Sequence, residues 1–221
     1  MTGAKAAAAR LALGLALVGP AAHASPLTPE EIVTICAGAD GPSHCGRLVE
    51  AVQLKRLPSL AMRNGSVLQV SLFPSGTATF SDTEALDGGR TFSLWDAYSE
   101  INAVLLYTTD GDTIGFRLLQ RTTGRVVELP SEPRVSPDRQ RLVTADFCAA
   151  RCSNELAVWR VSRDGVRKEL AWSPPSTWAD ATATWKDPDT IVVEYATAAG
   201  AAPATLERRL SDAGWRRTGA P

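Results

Sequence analysis

Four cysteines carry the most definite chemistry in this chain: Cys36, Cys45, Cys148 and Cys152. Four cysteines allow three connectivities, and the local one, Cys36–Cys45 with Cys148–Cys152, is expected because a short loop brings its own ends together. Each such small loop removes about 2–3 kcal/mol of unfolded-state entropy in the chain-entropy picture. A zinc reading is weaker, because neither spacing is C-x-x-C and the histidines are His23 and His44 alone. No metal or cofactor is expected.

Other groups that could do chemistry are sparse. A Ser-His-Asp triad would depend on His44, and the spacings G-x-S-x-G and S-x-x-K and a phosphate-cradling glycine loop do not occur, so no catalytic residue is assigned. Acid pairs remain, since glycosidases need two carboxyl groups at a suitable separation. Asp110 and Asp112 flank Gly111, Asp138 follows Ser136-Pro137, and Asp187 and Asp189 bracket Pro188. Aspartate is favoured at such places because its side chain bonds nearby backbone N–H groups, so turn formation is the expected role. Tryptophan is unusually frequent, six residues against three Tyr. Trp159 reads as core. Trp172, Trp178 and Trp185 surround Ser173-Pro174-Pro175-Ser176-Thr177, where a stiff loop could hold indole faces out for a sugar, a peptide or a protein partner, with packing beneath the loop as the competing role.

Residues 1–24 change the setting of all these groups. Lys5 and Arg10 precede the apolar run Leu11–Val18, a Gly19-Pro20 break and Ala22-His23-Ala24, the pattern of a secretory signal peptide with a small-x-small cleavage site. The run is too short to span a bilayer core, which needs about 20 residues, so no membrane span is expected after cleavage. His23 leaves with the signal, and the 23 cationic residues become 21 against 24 anionic. A mildly acidic exported chain does not suit nucleic acid, and the short basic stretches at Arg134–Arg141 and Trp215-Arg216-Arg217 read as solvated. The expected location is periplasmic or secreted, where paired cysteines persist.

Two helices should open the chain that remains. Thr28-Pro29-Glu30-Glu31 combines a cap, a proline at the first helical position and the returning Glu of a capping box, giving a helix that ends near Gly38. Ser43 can cap a second helix with the apolar stripe Leu48, Val49, Val52 and Leu57, stopped by Pro58. The segment 25–58 is therefore a helical hairpin clamped by Cys36 and Cys45, expected to pack with 59–221 as one globular unit.

After Pro58 the texture becomes short β-branched and aromatic runs broken by turn residues, which indicates a mainly β, antiparallel chain. Val67–Phe73 and Thr77–Phe80 flank Pro74-Ser75-Gly76. Val104–Thr108 and Thr113–Gln120 flank Asp110-Gly111, and Leu156–Val161 and Val166–Trp172 flank Arg163-Asp164-Gly165. Units of strand, connection, strand, glycine turn and strand begin near Val104, Leu142 and Ile191, roughly 40 residues apart where regular, with a weaker unit at Val67–Trp95 and an insertion at Trp172–Trp185. The expected fold is an antiparallel β-meander, propeller-like and partial or four-unit, with a β-sandwich as the alternative.

One stretch adds a family likeness. Thr123-Gly124-Arg125-Val126-Val127-Glu128-Leu129, Arg134-Val135-Ser136-Pro137-Asp138, Arg141-Leu142-Val143, Glu155-Leu156-Ala157-Val158-Trp159 and Asp164-Gly165 resemble the repeat of TolB-type β-propellers over roughly residues 122–166. Arg139 stands where that repeat carries glycine, and the neighbouring units lack Ser-Pro-Asp. The resemblance implies blade-like meanders and a periplasmic protein partner. Taken together, these readings lead to the expectation of an exported binding or envelope-associated protein acting through protein–protein contact, or a cell-wall component as ligand. The alternative is a hydrolase using acidic residues on cell-wall sugars or peptides.

Overall fold

The computed structural model describes residues 26–84, 89–111 and 113–218, so the signal peptide expected at 1–24, and Asp112, lie outside the described residues. Helix α1 (Pro29–Cys36) begins with the expected capping box: Glu31 N–H donates to Thr28 Oγ1 at 3.2 Å, and Thr28 N–H donates to Glu31 Oε2 at 2.7 Å. Helix α2 (Pro42–Arg56) is capped by Gly41 rather than Ser43, because Pro42 occupies the first turn, where its missing N–H costs nothing. The Cys36–Cys45 disulfide joins the two helices, and the second disulfide is Cys148–Cys152, the local pairing throughout.

Fifteen strands form four antiparallel sheets in chain order. The first holds β1 (Ala61–Asn64), β2 (Val67–Ser71) and β3 (Thr77–Ser81). The second holds β4 (Arg90–Tyr98), β5 (Ala103–Asp110), β6 (Thr113–Gln120) and β7 (Arg125–Leu129). The third holds β8 (Arg134–Val135), β9 (Arg141–Asp146), β10 (Glu155–Ser162) and β11 (Gly165–Trp172), and the fourth holds β12 (Asp180–Asp187), β13 (Thr190–Ala196) and β14 (Ala204–Arg209). The final strand, β15 (Arg216–Arg217), returns to pair with β11.

Strand alternation explains how the sheets stack. On β5, Val104 and Leu106 face Leu68 and Val70 of the first sheet, while Leu105 and Tyr107 face Leu142 and Trp159 of the third. On β10, Leu156 and Val158 turn the other way, toward Ile191 and Val193 of the fourth. The two middle sheets are thus buried on both faces, which is why β5 and β10 read as continuous apolar runs. Leu105 and Leu106 are fully buried, and truncation of either to Ala is expected to cost about 2–5 kcal/mol.

The sheets form an open series. Among the described residues no strand pairing joins the first sheet to the fourth, and no closed barrel or propeller forms. The expected units are each displaced by one strand. Val104, Leu142 and Ile191 lie in the second strands of their sheets, because the first strands include the two-residue β8 and a β12 that begins inside the expected insertion Trp172–Trp185. Likewise Arg90–Trp95 belongs to the second sheet, so the weak unit Val67–Trp95 spans two.

Helix α2 lies along β4, and its docking face corrects the expected stripe. The buried positions are Gly46, Val49, Glu50 and Gln53, with Leu48, Val52 and Leu57 half-buried. The cause is the edge it covers. Strand β4 presents unpaired backbone groups, and Gln53 Nε2 donates to Trp95 O at 2.7 Å while Leu94 N–H donates to Glu50 Oε2 at 2.9 Å. A polar face is what such an edge needs.

Candidate functional site

A cleft of about 670 Å³ lies between the second and third sheets. One wall is the β5–β6 hairpin, whose Asp110 and Thr113 are paired across a two-residue connection, with Gly111 in the left-handed region at φ 56°. That backbone conformation favours glycine, which accounts for the Asp-Gly signal. The other wall is the end of the β9–β10 ladder, where the Cys148–Cys152 loop joins Asp146 to Glu155.

Charges line this cleft in compensated pairs. Arg90 meets Asp110, and Arg117 meets Glu128 on the neighbouring strand. On the opposite wall Asp146 and Glu155 are direct register partners, an arrangement of like charges that is unfavourable unless each is engaged. Ser153 donates to Asp146 Oδ2 through its N–H at 2.8 Å and its hydroxyl at 2.6 Å. Glu155 takes Lys168 Nζ at 2.6 Å on one oxygen and Arg216 Nη2 at 2.8 Å on the other. Lys168 also lies over the Trp159 ring, 5.3 Å from its centroid, and Trp159 is buried with its indole N–H on Thr144 Oγ1 at 2.9 Å.

Sequence reasoning missed this acid pair, although a signal was present: Asp146 and Glu155 flank the Cys148–Cys152 loop on either side. Of the aspartates that the sequence does single out, the described ones belong to turns and ion pairs. Burial alone would raise the Asp138 carboxyl, but hydrogen bonds from the Ser136 hydroxyl and Gln140 N–H, together with the Arg141 charge, bring it below its ordinary value. The Asp187 carboxyl is lowered chiefly by Asp189 N–H, which donates to it at 2.8 Å, and by Thr190. His44 accepts Asp40 N–H on Nδ1 at 3.2 Å, within the helical hairpin. Among the described residues no three His, Cys, Asp or Glu side chains gather to hold a metal.

The three tryptophans share one core but differ in depth. Trp178 is 4% exposed and sits in the core between the third and fourth sheets, stacked on Tyr195 with ring centroids 3.9 Å apart and flanked by Phe147 and Trp172. Trp172 is half-buried under Arg208, whose guanidinium lies 4.3 Å from its ring. Trp185 is half-buried at the margin of the same core and donates its indole N–H to Arg134 O at 2.9 Å. The Pro174-Pro175 loop therefore drives one indole into the core and leaves the other two partly covered.

A second polar cluster lies under α2. Glu50 and Asp82 together accept from Arg47 and Arg63, and Phe92 N–H donates to Asp82 Oδ1 at 2.9 Å. Its members come from α2, β1 and the segment after β3, and their bonds to Phe92 and Leu94 close the edge of β4. This cluster positions the helix and lines no part of the cleft.

No protein-family model matches the chain, and no curated protein matches it in sequence.

Proposed function

We propose that this chain is an exported, disulfide-bonded binding protein of the cell envelope that meets a protein partner at the cleft between its second and third sheets. The observation that carries the reading is the make-up of that cleft. Its walls are paired strands and a disulfide-closed loop, and its charged groups are already engaged, Arg90 with Asp110, Arg117 with Glu128, Lys168 with Glu155 and Asp146 with Ser153. Such a surface offers a partner a preformed pattern of both charges, which favours orientation and selectivity over reaction. Two disulfides are consistent with a chain that leaves the reducing cytosol, and no helix among the described residues is long and apolar enough to cross a membrane. The TolB-type resemblance over residues 122–166 supports a protein as the partner.

In-cell crosslinking of the tagged chain, followed by purification, is expected to recover one stoichiometric envelope protein. Charge reversal at Lys168 should abolish that recovery, and a blank recovery contradicts the reading.

The register of Asp146 opposite Glu155 favours one second reading, a hydrolase acting on cell-wall sugars or peptides. Turnover of peptidoglycan fragments that is lost in Glu155→Gln would establish it in place of the first.

A further inference from the structure

Strand β7 is the outer edge of the second sheet, and among the described residues no strand pairs with its free side. The neighbouring edges are managed by the chain itself. Helix α2 occupies the edge of β4, and on the third sheet the C-terminal strand adds to β11 through the antiparallel pairs Leu170 with Arg217 and Ala171 with Arg216. Beside β7 the molecule is concave. The cleft already described opens at its Glu128–Leu129 end, and a second concavity of about 540 Å³ opens at its Arg125–Val127 end. Strand β11 contributes to both, through Lys168 in the first and Val166 and Arg167 in the second. One groove therefore follows the whole of β7, about 17 Å at ~3.4 Å per residue.

We propose that this groove takes an extended peptide segment of a partner protein, added to β7 as an antiparallel fifth strand of the second sheet. The inference rests on the reading of the chain as a binding protein and names how that binding occurs. The third sheet supplies the precedent, since its own fifth strand is an extended segment whose Arg216 reaches Glu155. Backbone groups of β7 give the affinity, and alternate side chains of the peptide give the selectivity. One set of peptide side chains lies beside Val126, which is 41% exposed, and the other beside Val127, which packs against the core between the second and third sheets.

Charge sets the direction. Arg125 and Arg167 form no ion pair among the described residues, and they mark one end of the groove, while at the other end Glu128 and Glu155 are already paired with Arg117 and Lys168. An antiparallel strand runs from the Glu128 end to the Arg125 end. The matching segment has alternating apolar residues and an acidic residue in its C-terminal half, where it meets Arg125 and Arg167.

The test is a bead-displayed library of random heptapeptides, screened against the full mature chain. Enriched sequences should carry that pattern. Backbone N-methylation of the best peptide should weaken binding about ten-fold at alternate positions and less than about two-fold at those between, the signature of a one-sided hydrogen-bond ladder. Amide exchange should slow at alternate residues within Arg125–Leu129, and Val126→Asp should lose the peptide while keeping its melting temperature. Binding that is indifferent to N-methylation, or that protects amides elsewhere, overturns the proposal. If no heptapeptide is enriched while crosslinking still recovers an envelope partner, strand addition is wrong and the binding reading stands. If a heptapeptide maps to β7 and no partner is recovered, strand addition is right and the envelope reading fails.

Discussion

Glu50 of α2 and Arg63 of β1 meet as a two-point fork, with Arg63 Nε on Oε1 at 2.8 Å and Nη2 on Oε2 at 2.7 Å. The carboxylate is 3% exposed and accepts Leu94 N–H as well, so one side chain joins the helix, the first sheet and the edge of the second. Arg47 and Asp82 complete a set of two cations and two carboxylates.

Neutralising the buried Glu50 leaves two partly buried arginines to share the single carboxylate of Asp82. Glu50→Gln, nearly the same shape, is expected to destabilise the fold by about 3–5 kcal/mol in urea denaturation. Glu50→Gln with Arg63→Met should recover part of that loss, because the cation is removed too. Simple additivity of the two single changes would show that the pair is not coupled.

Asp96 should make stability depend on pH. Burial pushes its carboxyl from 3.8 up to about 6, with Glu132 and Glu100 acting in the same direction and Ala97 N–H and Arg56 opposing. The folded chain therefore holds the proton where the unfolded chain releases it, and stability falls as pH rises from about 4 to about 6, then levels off. Asp96→Asn should raise stability at pH 7 by up to about 3 kcal/mol, and the gain should vanish below about pH 4. A gain that is the same at every pH would contradict this origin.

Arg139 occupies the left-handed region at φ 61°, in the turn closed by Ser136 and Arg141, and its side chain is exposed. That conformation costs an L-residue about 1–2 kcal/mol relative to right-handed backbone. Glycine avoids the clash but loses more entropy on folding, so Arg139→Gly should stabilise by about 0.5–1 kcal/mol. Thermal melting should shift upward by about 2 °C, and a downward shift would mean that the arginine side chain itself supports the turn.

Both disulfides close short loops. A thiol titration of the denatured, unreduced protein should find no reactive thiol, and reduction should cost about 2–3 kcal/mol for each loop. Four reactive thiols before reduction would contradict the pairing.

Features decided within a few residues are legible in the amino-acid sequence. The Thr28–Glu31 capping box, the hairpin at Asp110-Gly111 and both cysteine pairs depend on neighbours in the chain. The antiparallel β-meander is legible from the same local turn and strand chemistry. What distant segments decide is not. The polar docking face of α2 is set by the edge of β4, and Arg47, Arg63 and Asp82 come together from three separate elements. The unit boundaries slip by one strand because β8 has two residues and takes its identity from pairing with β9. The three tryptophans look alike in sequence, and only depth in the core between the third and fourth sheets distinguishes the buried Trp178 from the half-buried Trp172 and Trp185. Asp146 and Glu155 need the β9–β10 register to become one wall of the cleft.

The proposal places the partner at the cleft between the second and third sheets. Ile114 stands at its mouth with 47% exposure, and Val33 on α1 is more exposed at 71% and does not line it. A photo-crosslinking side chain placed at each position in living cells tests the claim directly. A single discrete adduct from position 114, with none from position 33, is the predicted result. Equal adducts from both positions, or an adduct from 33 alone, would contradict it.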